Sequence, residues 1–167
     1  FSDTFLFTHE DLEVEGIRVI KTDKLDYKGY NEFVFNKLWQ YVGTDYVLVV
    51  QNDGYITDAE QWSDDFFRYD YIGGPWPPAA QYTESGKEVR VGNGGFSFRS
   101  RKLLRAPTIL GLEFTDRGTG FWHEDGALCV HYRDELEKNG IKFAPVEVAA
   151  QFSTELEVPE TRKSFGG

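Results

Sequence analysis

The run Tyr46-Val47-Leu48-Val49-Val50 limits what this chain can fold into more than any other feature. An unbroken apolar stretch of this length, rich in β-branched valine, suits a strand and offers no polar face to water. It predicts a central parallel strand covered on both faces. Just upstream, Tyr30, Phe33, Val34, Leu38 and Tyr41 fall at helical spacing, which predicts an amphipathic helix over residues 30–42, ended by Gly43. Helix, short turn and buried strand in succession give an α/β sandwich.

The remaining elements fit around this unit. Residues 3–7, 17–20, 69–72 and 95–99 are short strand-like runs, and Glu84-Ser85-Gly86-Lys87 is a turn in a polar loop. From Glu124 to Asn139 a second amphipathic helix is expected, with Leu128, Tyr132 and Leu136 on one stripe and Asn139-Gly140 as its C-cap. Ile141-Lys142-Phe143 reads as a short strand, and the run Ala144 to Ala149 as core packing after a strand ended by Pro145. No internal repeat or interdomain linker is visible, so residues 1–167 read as one domain, long enough for a sizeable core. The chain begins at Phe1 and lacks methionine, and is expected to be part of a longer protein with further domains.

Charge and cysteine content narrow the function classes. A net charge of -10 argues against non-specific nucleic-acid binding, which needs clustered Lys and Arg. It leaves room for phosphorylated small molecules held through a divalent cation. With one cysteine, Cys129, the chain cannot form an internal disulfide, and a cysteine-based zinc site is not expected. A reducing compartment such as the cytoplasm is therefore permitted. No apolar run is long enough to span a membrane.

Four segments could carry chemistry. Gln51-Asn52-Asp53-Gly54 follows the buried strand, and in open α/β sheets ligands bind beyond the carboxyl ends of strands. There Asp53 could hold Mg²⁺ or Mn²⁺ against substrate phosphates, or the segment could be only a turn. Gly73-Gly74-Pro75-Trp76 offers backbone space and the stacking face of Trp76, with loop closure as the plainer alternative. Gly92-Asn93-Gly94-Gly95 enters a strand, where glycine weakens the ladder unless a close approach requires it. Its amides could hold sugar hydroxyls or a phosphate, although the spacing is neither a P-loop nor a dinucleotide-binding fingerprint. Finally, Trp122-His123-Glu124-Asp125 opens the second helix. The amides of a first helical turn stabilise acids there whatever their role, and also keep a carboxylate ionised to act as a general base.

Taken in order, strand-Gln-x-Asp, Tyr-Ile-Gly-x-Pro-Trp, Val-Gly-Asn-Gly-Gly-Phe-Ser-x-Arg, Glu-Asp and Ala-Pro-x-Glu-x-Ala-x-x-Phe-Ser-x-Glu resemble a family of glycosyltransferase-like domains described as a domain of unknown function. The likeness runs from about Asp45 to the end. That family is similar to GT-A glycosyltransferases, which bind a nucleotide sugar over a mixed sheet.

The resemblance implies a GT-A-like, mostly parallel sheet flanked by helices, with the N-terminal nucleotide-binding strand missing from this sequence. It implies that Asp53 stands at the metal-binding Asp-x-Asp position, with Gln51 in place of the first acid. A divalent cation, Mn²⁺ or Mg²⁺, would be the cofactor. By the same likeness Asn93, Gly94 and Gly95 lie beside donor and acceptor, and Asp125 is the base with Glu124 supporting it. Asn52, Trp76 and Trp122 complete the expected donor and acceptor contacts. The partners would be a nucleotide sugar and a glycan or other hydroxyl acceptor. Two rivals remain: a carbohydrate-binding or structural module that kept the fold and lost the chemistry, and a metal-dependent nucleotidyltransferase.

Overall fold

The computed structural model of the chain describes residues 3–120, 122–154 and 163–167. It opens with a parallel pair, β1 (Phe5–Thr8) and β2 (Arg18–Lys21), in register Phe5 with Arg18 through Thr8 with Lys21. Helix α1 (Tyr27–Asn36) follows, N-capped by Asp26, whose carboxylate accepts from Gly29 N at 2.7 Å. A 3₁₀ turn at Leu38–Gln40 ends this helical segment, so the expected helix starts earlier and loosens sooner.

Strand β3 (Tyr46–Val50) is where the sequence-based expectation needs correcting. It is neither central nor parallel. Among the described strands it pairs only with β7 (Phe96–Ser100), antiparallel, from Tyr46 with Ser100 to Val50 with Phe96. On the other side of β7 lies β4 (Tyr71–Ile72), also antiparallel, giving the order β3-β7-β4. A hairpin of β5 (Gln81–Tyr82) and β6 (Glu88–Val89) turns through Gly86, at φ 84°. The chain is thus a mixed α/β domain with few parallel strands, and the expected mostly parallel sheet is not found among the described residues. Residues 141–143 contribute one bridge, Tyr71 with Phe143, in place of a strand.

Helix α2 (Arg101–Leu110) grows directly out of β7 because Ser100 caps it: its hydroxyl accepts from Leu103 N at 3.0 Å and donates to Asp70 at 2.6 Å. Gly111, at φ 66°, closes its far end. The expected second helix is broken into α3 (Glu124–Gly126), a π-helical turn (Ala127–His131) and α4 (Arg133–Lys138). Pro145 begins a further helix, α5 (Val146–Phe152), where core packing after a strand was expected.

Two apolar layers hold these elements. Phe96, Phe98, Phe152 and Phe165 join Leu103, Leu128 and Leu136 in the larger core. Val34, Leu38, Val42 and Leu104 form the smaller one, between α1 and α2. Ser100→Ala would strip α2 of its cap and leave the buried Asp70 carboxylate short of a donor. A loss of about 1–2 kcal/mol is expected in urea unfolding.

Candidate functional site

The site is built around a charged residue inside the sheet. Strand β7 is buried along its whole length, yet it carries Arg99, which is 0 % exposed. That guanidinium meets Glu124, 2 % exposed, at 2.8 Å to Oε1 and 3.1 Å to Oε2. Its Nε donates to Ser97 Oγ at 2.8 Å, and Nη2 also donates to the carbonyl of Gly94 at 3.2 Å. The Tyr71 ring lies 5.3 Å from it.

Burial lowers the affinity of Arg99 for its proton, but the field of Glu124 outweighs it, so the guanidinium stands above its ordinary value. Burial pushes the Glu124 carboxyl up, Arg99 pulls it down, and Asp125 pushes it up again, with a net rise. The bidentate geometry keeps the pair ionised at neutral pH, because both Glu124 oxygens accept from Arg99, whose other donors reach Ser97 and Gly94.

This pair fixes the glycine-rich loop. A side chain on Gly94 would place its Cβ 2.0 Å from Glu124 Oε1, so glycine is required there by the ion pair beneath it. The left-handed residue of the loop is Asn93, at φ 64°, whose carbonyl accepts from the Tyr71 hydroxyl at 3.1 Å and whose Oδ1 accepts from Gly95 N at 3.0 Å. The glycines therefore answer to close protein packing, and the unusual backbone belongs to asparagine, which tolerates it better than most residues. Gly94→Ala is expected to cost about 1–3 kcal/mol through overpacking, read as a drop in denaturation midpoint.

Asp125 sits on the same loop's other side. Its Oδ2 accepts from Gly94 N at 3.3 Å and its Oδ1 from Gly126 N at 2.8 Å, with the residue half-buried. Glu124, by contrast, is wholly committed to Arg99. Of the two adjacent acids, Glu124 is buried and Asp125 is the one with exposure. Helix α1 completes the frame. Asn31, buried, accepts from Glu124 N at 3.0 Å and donates to Tyr27 O at 2.8 Å. It supplies the cap that His123, at the start of α3, does not. The Tyr27 hydroxyl shares a 2.5 Å hydrogen bond with His123 Nδ1.

The turn after β3 meets this frame from the sheet. Gly54 N donates to Gln51 O at 3.0 Å, which makes residues 51–54 a tight turn, and Gln51 N donates to Gly95 O at 2.7 Å. The Gln51 side chain donates to the Tyr30 hydroxyl at 2.8 Å. Asn52 and Asp53 are exposed at the tip. The turn and the loop of residues 93–95 are therefore adjacent, and Asp125 joins them through Gly94.

All of this, from α1 onward, lies within residues 16–166, which match a family described as a protein of unknown function, DUF5672. The chain belongs to that family. No curated protein matches this DUF5672 chain, and no solved structure does.

Other expected site residues fall outside the frame. The Trp76 ring packs against Gly92, where a Cβ would come within 1.9 Å of it, and its backbone pairs with Arg90. Trp122 lies under the Lys28 ammonium, 3.9 Å from the ring, and against Phe114, so one face is already covered. Glu155, the last acid of the C-terminal motif, lies outside the described residues. Among the described residues no three His, Cys, Asp or Glu side chains group as a metal site, and no helix is long and apolar enough to cross a membrane. A groove of about 470 Å³, lined by Tyr46, Asp70, Lys102 and Lys142 among others, lies at the opposite end of the β3–β7 ladder.

Sequence reasoning missed Arg99, Asn31, Tyr27 and Tyr30. A lone arginine in an apolar strand was the one signal available for Arg99, because a buried guanidinium needs a carboxylate partner. Asn31 carried no signal, since its partner is a backbone amide from a distant segment.

Proposed function

We propose that this DUF5672 chain is a glycosyltransferase domain of GT-A kind, moving a sugar from a nucleotide-sugar donor to a hydroxyl acceptor. The observation that carries the reading is Asp125: a half-buried carboxylate held by two backbone amides, beside the Asn93–Gly95 loop and the turn that ends in Asp53. A carboxylate so held is fixed in direction yet keeps lone pairs for a substrate hydroxyl, which is what a general base requires. In the proposed step Asp125 takes the acceptor's hydroxyl proton while that oxygen attacks the anomeric carbon. The bond from that carbon to the nucleotide phosphate breaks, and the nucleotide leaves with the electron pair.

The GT-A kind rests on the resemblance of the ordered motifs; in the structure β1 and β3 share an apolar layer, in which Phe7 lies with Val47 and Val49, but are not hydrogen-bonded to each other among the described residues.

Asp53 fits a divalent cation only as a single protein carboxylate. That is the way Mg²⁺ is commonly held, by one or two carboxylates with substrate phosphates completing the shell. Asp53 would hold Mn²⁺ or Mg²⁺ there, with Asn52 beside it, and the cation would neutralise charge on the departing phosphates. A sugar-binding module without transfer activity is the second reading. It is favoured by Gln51, whose amide is spent on Tyr30 and leaves Asp53 as the one acid of the turn.

The full-length protein, incubated with a panel of uridine and guanosine diphosphate sugars and Mn²⁺ or Mg²⁺, should release nucleotide. Sugar binding without nucleotide release from any donor would overturn transfer and favour the second reading. Pyrophosphate release would indicate nucleotidyl transfer.

A further inference from the structure

We propose that Arg99 and Glu124 act as positioning residues that set the electrostatic field around Asp125, presenting it on a charge-balanced floor. The proposal rests on Asp125 being the proton acceptor of the reaction. Its geometric basis is that the pair adjoins Asp125 by two routes. Arg99 holds the carbonyl of Gly94, whose amide donates to Asp125, and Glu124 precedes Asp125 in the chain with its own amide pinned by Asn31.

The charges facing Asp125 from each neighbouring element can be named. On α1 stand Tyr27 and Tyr30; burial first, with Asp125 among the further causes, raises both phenols, so they stay neutral at neutral pH. Tyr71 on β4 and Cys129 on the π-helical turn are likewise raised, chiefly by burial, and stay neutral. His123, next to Glu124, shares its Nδ1 with the Tyr27 hydroxyl. Among these described neighbours the permanent charges are Arg99 and Glu124, of opposite sign and joined at 2.8 Å. Loss of one member would unbalance the field by a full charge, in a direction set by which member is lost.

The full-length enzyme supplies the test, with two variants that change charge in opposite senses. Glu124→Gln removes a negative charge and leaves Arg99 unopposed. Asn31→Asp adds a negative charge at the Glu124 amide. The acid limb of kcat/KM against pH should move down by about one pH unit or more in Glu124→Gln, and up in Asn31→Asp. A purely structural role would lower the rate without moving the limb. Titration of the Asp125 side-chain carbonyl by ¹³C NMR, assigned with Asp125→Asn, reads the same two shifts without turnover. Opposite shifts by NMR in a protein that transfers no sugar would uphold the inference and reject the transferase reading. An active enzyme whose acid limb and NMR midpoint stay put in folded variants, or move the same way in both, would overturn the inference. Should Glu124→Gln not fold, an unmoved midpoint in Asn31→Asp overturns it alone.

Discussion

Asp125→Asn is expected to lower kcat for sugar transfer by about 10²–10⁴, the usual contribution of a general base, while nucleotide-sugar affinity is retained. Asparagine has the same shape and can still accept one of the two amide hydrogen bonds, from Gly94 or Gly126, so the loop of residues 93–95 should hold its place. The basic oxygen is what disappears. Turnover and donor affinity measured together on the full-length enzyme separate the cases. Near-normal turnover would reject Asp125 as the base. A fall in donor affinity equal to the fall in rate would instead mean that Asp125 binds the donor. Glu124→Gln tests a different thing, because a carboxyl that is 2 % exposed cannot meet an acceptor hydroxyl.

The sequence made Asp125 legible as one of two adjacent acids but could not choose between them, and burial now separates their surroundings. Helix geometry points adjacent residues in different directions, so one of the two faces Arg99 and the other the loop. The same logic explains what was misread in β3. Tyr46 and Leu48 pack into the larger core while Val47 and Val49 meet the smaller one. An unbroken apolar run records apolar neighbours on both faces, yet Tyr46 to Val49 are only half-buried and Val50 is exposed, short of the full cover that was inferred. It carries no information on which backbone pairs with it, so an edge strand in an antiparallel ladder looked central and parallel. The capped start of α2 was not anticipated, although Ser100 was there to be seen, because β7 runs into the helix without a turn. In residues 146–152 the alternation of Val146 and Val148 hid a helix that Glu147, Ala149, Ala150 and Gln151 favour and that packs Ala149 and Phe152 into the core. The π-helical turn after α3 has no counterpart in the hydrophobic spacing, which continues as though the helix were regular.

Arg99→Met should be among the most destabilising single changes outside the apolar core, costing about 3–5 kcal/mol, because it leaves the Glu124 carboxylate buried without its partner. The loss has a pH signature. Burial already raises Glu124 above its ordinary 4.5, and without Arg99 to pull it down the folded-state value rises further. A carboxyl raised in the folded state is protonated there at pH values where the unfolded chain is ionised, so stability falls as pH climbs from 4.5 through the folded-state value. The deficit of Arg99→Met should therefore be largest near neutral pH and shrink as pH is lowered toward 4.5. Adding Glu124→Leu removes the stranded charge, and the double variant should recover much of the loss, as apolar replacement of buried ion pairs often does. Urea unfolding of the wild type, the single and the double variant at pH 7 and pH 5 measures all of this. A single variant no weaker than the double, or a deficit unchanged between the two pH values, would mean that Glu124 finds another partner or enough water, and that Arg99 is not what makes its burial tolerable.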